Sequence, residues 1–171
     1  ERLQANDSRS ADWILDQFAH WDDIEVQYRN HVIRSGGHGF SGLGRQRLLH
    51  LLQKRALELG VKLHFEHEIH NLDQFKDADL IVACDGINSW IRDEHSEHFQ
   101  PDIDVRSNRF VWLGTNKVFE AFTFIFEPTE HGWIWAHAYR FDKDTSTFII
   151  ECTEETLKGL GFDQMSQEES I

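Results

Sequence analysis

Residues 78–92, ADLIVACDGINSWIR, join an apolar run to a polar turn. Leu80 to Cys84 carry no polar alternation, which is typical of a strand buried on both faces of a parallel sheet. Asp85 and Gly86 end this run abruptly. Because ligands of open α/β sheets lie beyond the carboxyl ends of the strands, we expect the Asp85 side chain to face a crevice there.

The residues around Asp85 suit a ligand that carries hydroxyl and phosphate groups. A carboxylate at this position can accept hydrogen bonds from a ribose or ribityl chain, and Gly86 lets a ligand approach the backbone closely. Ser89 adds a hydroxyl, and Arg92 adds a cation that can pair with phosphate. The alternative interpretation is that Asp85 and Gly86 form only a tight turn.

Composition restricts the classes of partner. The 171 residues allow one domain of ordinary size or parts of two. A net charge of −13 argues against nucleic acid and anionic membranes as partners. No apolar run approaches membrane-spanning length, and there is no signal-peptide pattern. Cys84 and Cys152 both lie in apolar runs, as expected for buried, reduced thiols of a cytoplasmic protein.

The first half of the chain predicts helix and strand in succession. Residues 24–33 alternate around a polar turn and predict a β-hairpin. A helix is predicted from Arg45 and should end before Gly60. Its apolar face should consist of Leu48, Leu49, Leu52, Ala56 and Leu59. Residues 61–65 alternate as a strand does, and a polar loop leads from them to the apolar run at 79–84.

The second half predicts an antiparallel meander. Four segments alternate between apolar and polar residues: 108–113, 119–126, 132–141 and 146–152. The tail from Glu154 is acidic and should be helical in part. The predicted fold class is therefore α+β, an α/β part with parallel strands followed by an antiparallel sheet.

One strand of the meander carries an unusual aromatic row. Trp133, Trp135, His137, Tyr139 and Phe141 share one face of the third segment. This row could be ordinary sheet core or the wall of a pocket for an aromatic substrate. His137 could be a satisfied core histidine, or it could hydrogen-bond a phenol or amine substituent.

Two other motifs are set aside. Gly37–Gly42 matches GxGxxG, but the preceding segment is short and polar and the helix begins several residues later, so we interpret the stretch as a loop. His64, His67 and His70 suggest a metal site, but a spacing of three places successive residues of a strand on opposite faces. We therefore predict no metal.

The motif around Asp85 resembles the Asp-Gly fingerprint of FAD-dependent aromatic hydroxylases, the single-component flavoprotein monooxygenases. That fingerprint is an apolar run followed by Asp-Gly-x-x-Ser-x-x-Arg, which Asp85, Gly86, Ser89 and Arg92 match. In that family the motif serves both FAD and NAD(P)H. Arg45 resembles the Arg or Gln that contacts FAD at the start of the corresponding helix, although a surface arginine is the alternative.

Three further runs resemble the branch that contains salicylyl-CoA 5-hydroxylase and 2-aminobenzoyl-CoA monooxygenase/reductase. They are residues 34–42, 108–114 and 139–142. The resemblance implies a parent enzyme that reduces FAD with NAD(P)H and hydroxylates a small aromatic substrate such as an aromatic CoA thioester. It also implies that Arg45, Asp85, Gly86, Ser89 and Arg92 bind cofactor, while the catalytic base, if any, stays unassigned.

The resemblance also suggests how the chain divides. We expect a hairpin and approach segment of the substrate domain (1–35), part of the FAD-binding domain (36–106), the substrate-domain sheet (107–153) and an acidic tail (154–171). The family's amino-terminal GxGxxG unit and carboxy-terminal Gly-Asp motif are absent from the sequence. We therefore expect a middle fragment that binds no FAD and lacks activity alone.

Two rival interpretations stay open at this point. The first is a non-catalytic α+β binding module in which Asp85 and Gly86 only form a turn. The second is a flavin-dependent reductase or halogenase on the same scaffold. The sequence does not specify the substrate, the choice between NADH and NADPH, or the oligomeric state.

Overall fold

The computed structural model describes residues 2–170. Two compact units are present. The first combines the residues up to 63 with those from 107 onward, and the second is His64–Arg106. The boundaries predicted at 35, 106 and 153 stay a prediction. The fold class is α+β, as predicted.

The strands lie in the first unit. They are β1 (Ala19–Trp21), β2 (Ile24–Tyr28), β3 (His31–Ser35), β4 (Phe40–Gly42), β5 (Asn108–Thr115), β6 (Phe122–Thr129), β7 (Gly132–Arg140) and β8 (Ser146–Thr153). One sheet has the order β3-β2-β6-β7-β8-β5, and β1 and β4 form a separate two-stranded ribbon. Within the described residues, only β2 and β6 pair in parallel. The hairpin predicted from alternation is confirmed, and all four predicted strands of the second half are present and antiparallel to one another. Only β6, β7 and β8 form a meander, because β5 pairs with β8 rather than with β6.

The register of the sheet places its aromatic side chains together. We call this side the aromatic face. It carries Tyr28, Phe110, Trp112, Phe122, Phe124, Phe126, Trp133, Trp135, His137 and Tyr139. The opposite face buries Ala136 and Ala138, and Phe119 stacks there on Phe148 with ring centroids 6.0 Å apart.

The helices are short apart from one. They are α1 (Arg2–Asn6), α2 (Ser8–Leu15), α3 (Arg45–Glu58), α4 (Trp90–Glu94), α5 (Ser96–Phe99) and α6 (Glu154–Gly159). Helix α6 lies in the acidic tail, which is therefore helical in part, as predicted. It packs on β5, β7 and β8. No helix within residues 2–170 has the length and apolar character that crossing a bilayer requires.

Helix α3 begins and ends where the sequence predicts. It starts at Arg45, and Gly60 follows it with φ of +80°, a backbone conformation that glycine adopts without strain. The predicted apolar face was wrong. Leu51 is the buried residue, whereas Leu49 and Leu59 are 48% and 62% exposed. Helix α3 contacts the short helix α2, and Arg55, one turn after Leu51, pairs with Asp7 just before α2, so the flank that carries Leu51 is the one turned toward α2.

The strands predicted at 61–65 and 79–84 are also absent from the structure. Neither segment pairs with another strand in the described part of the chain. Leu80 is 78% exposed and Val82 is 72% exposed, and Cys84 is exposed rather than buried. A strand of a parallel sheet requires at least one neighbouring strand and a covering layer on each face, and the second unit supplies no partner strand for residues 79–84. Cys152 is buried, as predicted.

An ion pair joins α2 to α3. Arg55 donates from Nε to Asp7 Oδ2 and from Nη2 to Asp7 Oδ1, each at 3.0 Å, and Ser10 Oγ donates to the same carboxylate at 2.6 Å. The hydrogen bond from Arg55, followed by the one from Ser10, lowers the pKa of Asp7 to about 2. Since Asp7 precedes α2, its carboxylate ties the start of that helix to the last turn of α3.

We expect Asp7→Asn to reduce stability at neutral pH but not near pH 2. The pKa of Asp7 is lower in the folded chain than in the unfolded chain, so its stabilisation is present above about pH 4 and is lost as pH falls toward 2. Urea unfolding followed by circular dichroism across this range measures the effect. Asp77→Asn, at an exposed site without side-chain partners among the described residues, is the control. A pH-independent loss in Asp7→Asn would contradict the assignment.

The ribbon of β1 and β4 packs on one end of the aromatic face. Trp21 stacks on Tyr139 and on Phe40, with ring centroids 5.8 and 5.9 Å apart, and Phe40 lies 5.5 Å from Phe122. A Cβ on Gly42 would lie 2.7 Å from the backbone oxygen of Arg140 and 3.0 Å from the Trp21 ring. Only glycine therefore allows this approach without a shift of the ribbon.

We predict that Gly42→Ala destabilises the chain by about 1–3 kcal/mol, the usual cost of overpacking. The added methyl group meets backbone, which moves less readily than a flexible side chain. Gly114→Ala, where a Cβ would meet nothing within 4 Å, is the matched control and should change stability little. Urea midpoints of the two variants test this, and equal midpoints would contradict the packing argument.

Candidate functional site

The aromatic face is covered at one end and open at the other. At the ribbon end, Phe122 lies 5.1 Å from Tyr139 and 4.7 Å from Phe124 between ring centroids. Along β7, Tyr139, His137 and Trp135 are half-buried, whereas Trp133 is 47% exposed. The row predicted from the sequence is therefore largely covered, with an opening at Trp133. Phe141 follows β7 and lies beside Gly44.

Polar groups on this face are few and mostly engaged. Trp135 Nε1 donates to Glu151 Oε2 at 3.1 Å, and Asn108 Nδ2 donates to Glu151 Oε1 at 2.9 Å. His137 lies 6.2 Å from the rings of both Phe122 and Phe124. It has no hydrogen-bond partner among residues 2–170, so its ring nitrogens are available to a ligand.

Sequence reasoning missed the ribbon's part in this site. Trp21 and Phe40 form the covered end, but each lies in a strand of only three residues, too short for alternation to indicate it. On the outer side of the ribbon, His20 Nδ1 and Ser41 Oγ are 3.0 Å apart in a shallow cleft of about 350 Å³. The high aromatic content was the only signal in the sequence for this packing.

The Asp-Gly motif lines a cleft of about 630 Å³ inside the second unit. Its lining includes Asp85, Gly86, Ser89 and Arg92, so the structure brings the four motif residues together. Gly86 has φ of +89°, and a Cβ there would meet nothing within 4 Å, which leaves its backbone open to a ligand. The crevice expected beside Asp85 is present, although the buried strand before it is not.

Two of the four motif residues have structural partners. Ser89 is buried, and its Oγ accepts a hydrogen bond from the backbone N–H of Arg92 at 3.1 Å, which caps α4. The Arg92 guanidinium pairs with Asp93 at 3.0 Å. Asp85 has no side-chain partner within residues 2–170, so its carboxylate and the Gly86 backbone are the free groups of the cleft.

The other candidate residues predicted from the sequence are not among those that line this cleft. Arg45 is exposed at the start of α3 in the first unit, without a side-chain partner in the described residues. The last three residues of the Gly37–Gly42 stretch form β4 rather than opening a helix, and His38 N donates to Asp22 O at 3.0 Å. No group of three potential ligands that could hold a metal ion occurs within residues 2–170. His67, one of the three histidines considered, contacts Gln74.

Comparison with known proteins relates the chain to monooxygenases. It is 40% identical over 144 residues to salicyloyl-CoA 5-hydroxylase from a Streptomyces species, covering 84% of this chain and 28% of that protein. It is 30% identical over 152 residues to protodeoxyviolaceinate monooxygenase from Chromobacterium violaceum, covering 87% and 40%. It is 30% identical over 141 residues to 3-hydroxy-4-methyl-anthranilyl-[aryl-carrier protein] 5-monooxygenase from Streptosporangium sibiricum, covering 82% and 39%.

The fold has a counterpart among solved structures. PqsL, a probable FAD-dependent monooxygenase from Pseudomonas aeruginosa, superposes with a TM-score of 0.62 at 14% identity, over 93% of this chain and 50% of that one. A scan against models of known protein families finds no match. The chain spans between 28% and 40% of the length of its three named relatives. These similarities relate the chain to monooxygenases, each of which it matches over less than half of that protein's length, and its fold to that of a probable FAD-dependent monooxygenase.

Proposed function

We propose that this chain is part of a longer flavoprotein that hydroxylates an aromatic substrate with FAD, NAD(P)H and O₂. The observation that carries the proposal is the half-buried aromatic face, on which His137 has no protein partner in the described residues. Aromatic walls with few polar groups are typical of sites for small aromatic ligands. The names of the three relatives support the same class of reaction.

The cleft of the second unit is the proposed contact for the cofactors. The Asp85 carboxylate and the open backbone at Gly86 fit a hydroxyl-bearing ribityl or ribose chain. Ser89 holds the turn through its cap, and Arg92 offers a cation to phosphate in this cleft. Arg45, exposed at the start of α3 in the first unit, is proposed by itself as a further cation for the cofactor. FAD, once reduced by NAD(P)H, would supply the activated oxygen.

The residues of the aromatic face would orient the substrate ring and exclude water. Phe122, Phe124 and Tyr139 provide apolar walls around His137. A ring nitrogen of His137 can donate to or accept from a phenol or amine substituent, which would fix the rotation of the ring. Glu151 accepts from Trp135 and Asn108 and so keeps the neighbouring indole in place.

The substrate we favour is an aromatic thioester. One relative is named for a CoA thioester and another for a substrate on an aryl-carrier protein. The open end of the face at Trp133 leaves room for a long substituent, whereas the ribbon covers the other end. The proposed partner is therefore a small aromatic acid linked to a long arm.

Product analysis of the full-length gene product tests this function. The protein is supplied with FAD, with NADH or NADPH, and with aromatic acids or their thioesters under ¹⁸O₂. We expect a hydroxylated product that contains one labelled oxygen, and reduced product formation in His137→Ala. Oxidation of NAD(P)H without labelled product for every aromatic substrate would contradict the proposal.

We predict that Asp85→Ala in the full-length protein weakens FAD retention or flavin reduction without unfolding it. Loss of a carboxylate that accepts ligand hydroxyls should cost on the order of 1.5–3 kcal/mol of binding free energy. Flavin content after gel filtration and the rate of anaerobic flavin reduction measure the effect. Asp79→Ala, an exposed change in the same unit, is the control. Unchanged values in Asp85→Ala would contradict the cofactor role.

A further inference from the structure

We propose that Arg29 binds the phosphate of a phosphopantetheine arm whose aromatic thioester lies beside His137. This inference rests on the proposed function and adds a specificity-determining residue to it. Arg29 forms the turn between β2 and β3, at the open end of the aromatic face. Four observations on the first unit support the assignment.

The first observation is the direction in which a long substituent can leave. Trp21 and Phe40 close the face beside Tyr139, and Trp21 is only 9% exposed. At the other end Trp133 is 47% exposed and lies 5.8 Å from the Tyr28 ring. An arm attached to a ring at His137 therefore extends toward Trp133 and Tyr28.

The second observation is length. Tyr28 is level with Trp135 across β6, so the β2–β3 turn lies about three residues along and two strands across from His137, about 14 Å at roughly 3.3 Å per residue and 4.8 Å per strand. A pantetheine arm contains two amide units and a branched alcohol, and when extended it reaches roughly as far as four residues, about 14 Å. A thioester at His137 thus places its phosphate near the end of the strand, where the β2–β3 turn lies.

The third observation is charge. The Arg29 guanidinium lies 5.2 Å from the centre of the Tyr28 ring and forms no ion pair within residues 2–170. His31, paired with Tyr28 across the hairpin, lies on the same face and adds a hydrogen-bonding group. In a chain with a net charge of −13, a free cation at this position gives a phosphate a local partner.

The arm of the substrate could also leave the aromatic face at the β5 edge, but the charged group near that edge is negative. Phe110 and Trp112 are exposed there, 70% and 63%. The carboxylate of Glu151 lies between that edge and Trp135, and it would repel a phosphate. Arg109 projects to the opposite face and pairs with Glu154 at 3.2 Å. Charge therefore favours the exit at Arg29.

The fourth observation is backbone strain at Arg29. Its φ is +52°, in the left-handed region where glycine or asparagine is favoured and other residues are strained. A turn selected for stability alone would place Gly at this position. Retaining an arginine there is consistent with a use for its guanidinium.

The test uses the full-length gene product and four thioesters of one aromatic acid. The CoA and phosphopantetheine thioesters carry phosphate, whereas the pantetheine and N-acetylcysteamine thioesters do not. In Arg29→Gly we expect KM for the phosphate-bearing pair to rise roughly fivefold or more, as for loss of one exposed charge-assisted hydrogen bond, with kcat unchanged. KM for the other pair should not change, and Arg29→Lys should restore part of the loss.

Controls separate a binding role from a structural one. Arg29→Gly relieves strain, so its melting temperature should equal or exceed that of the natural chain. Lys143→Ala removes an exposed cation from the turn between β7 and β8 and should leave every KM unchanged. The KM difference in the natural protein should shrink as salt is raised, because the cation is exposed.

The outcomes distinguish failure of the Arg29 role from failure of the proposed hydroxylation on which it rests. Equal KM changes with and without phosphate, or none at all, would overturn the role of Arg29 while hydroxylation stands. No hydroxylated product from any thioester or free acid would instead overturn the proposed function. Comparing the aromatic thioester of a carrier protein with the CoA thioester identifies the source of the arm. The rise in KM caused by Arg29→Gly must appear with whichever of these two substrates binds more tightly.

Discussion

The close approach of Gly42 to the Arg140 carbonyl oxygen is the contact on which the site depends. A methyl group in that space would lie 2.7 Å from backbone, so the distance between β4 and the end of β7 requires a residue without a Cβ. That distance in turn allows Trp21 to stack on both Tyr139 and Phe40. Arg140 Nη2 donates to His20 O at 2.7 Å and holds β1 to the same strand end. One end of the aromatic face is closed as a consequence.

Local patterns in the sequence were sufficient for the antiparallel part of the fold. Alternation over 108–152 indicates four strands, of which β6, β7 and β8 pair with their neighbours along the chain while β5 pairs with β8. Helix α3 was likewise indicated by its leucines and by Gly60. The parallel pairing of β2 with β6 was not predictable, because about a hundred residues separate the partners and no short-range pattern encodes that register.

The motif cleft shows where local reasoning fails. The apolar run before Asp85 has the composition of a buried parallel strand, but composition describes an environment that other strands must supply. In the second unit no strand pairs with residues 79–84, and their apolar side chains stay exposed. The turn itself needs no such neighbours. Ser89 caps α4 and Gly86 adopts a positive φ, so the motif residues still meet in one cleft.

These two sites are stabilised by different kinds of interaction, and this difference has consequences for how each can respond to a ligand. The aromatic face is held by a six-stranded ladder and by ring packing at the ribbon, so its covered end is rigid before a ligand arrives. The second unit has a capped turn and short helices but no sheet of its own. The proposed ligand of Asp85 would therefore meet a cleft without a supporting sheet, whereas a proposed substrate beside His137 would meet walls that the sheet holds in place. A ring placed beside His137 would meet fixed geometry, which the proposed hydroxylation of one ring carbon requires.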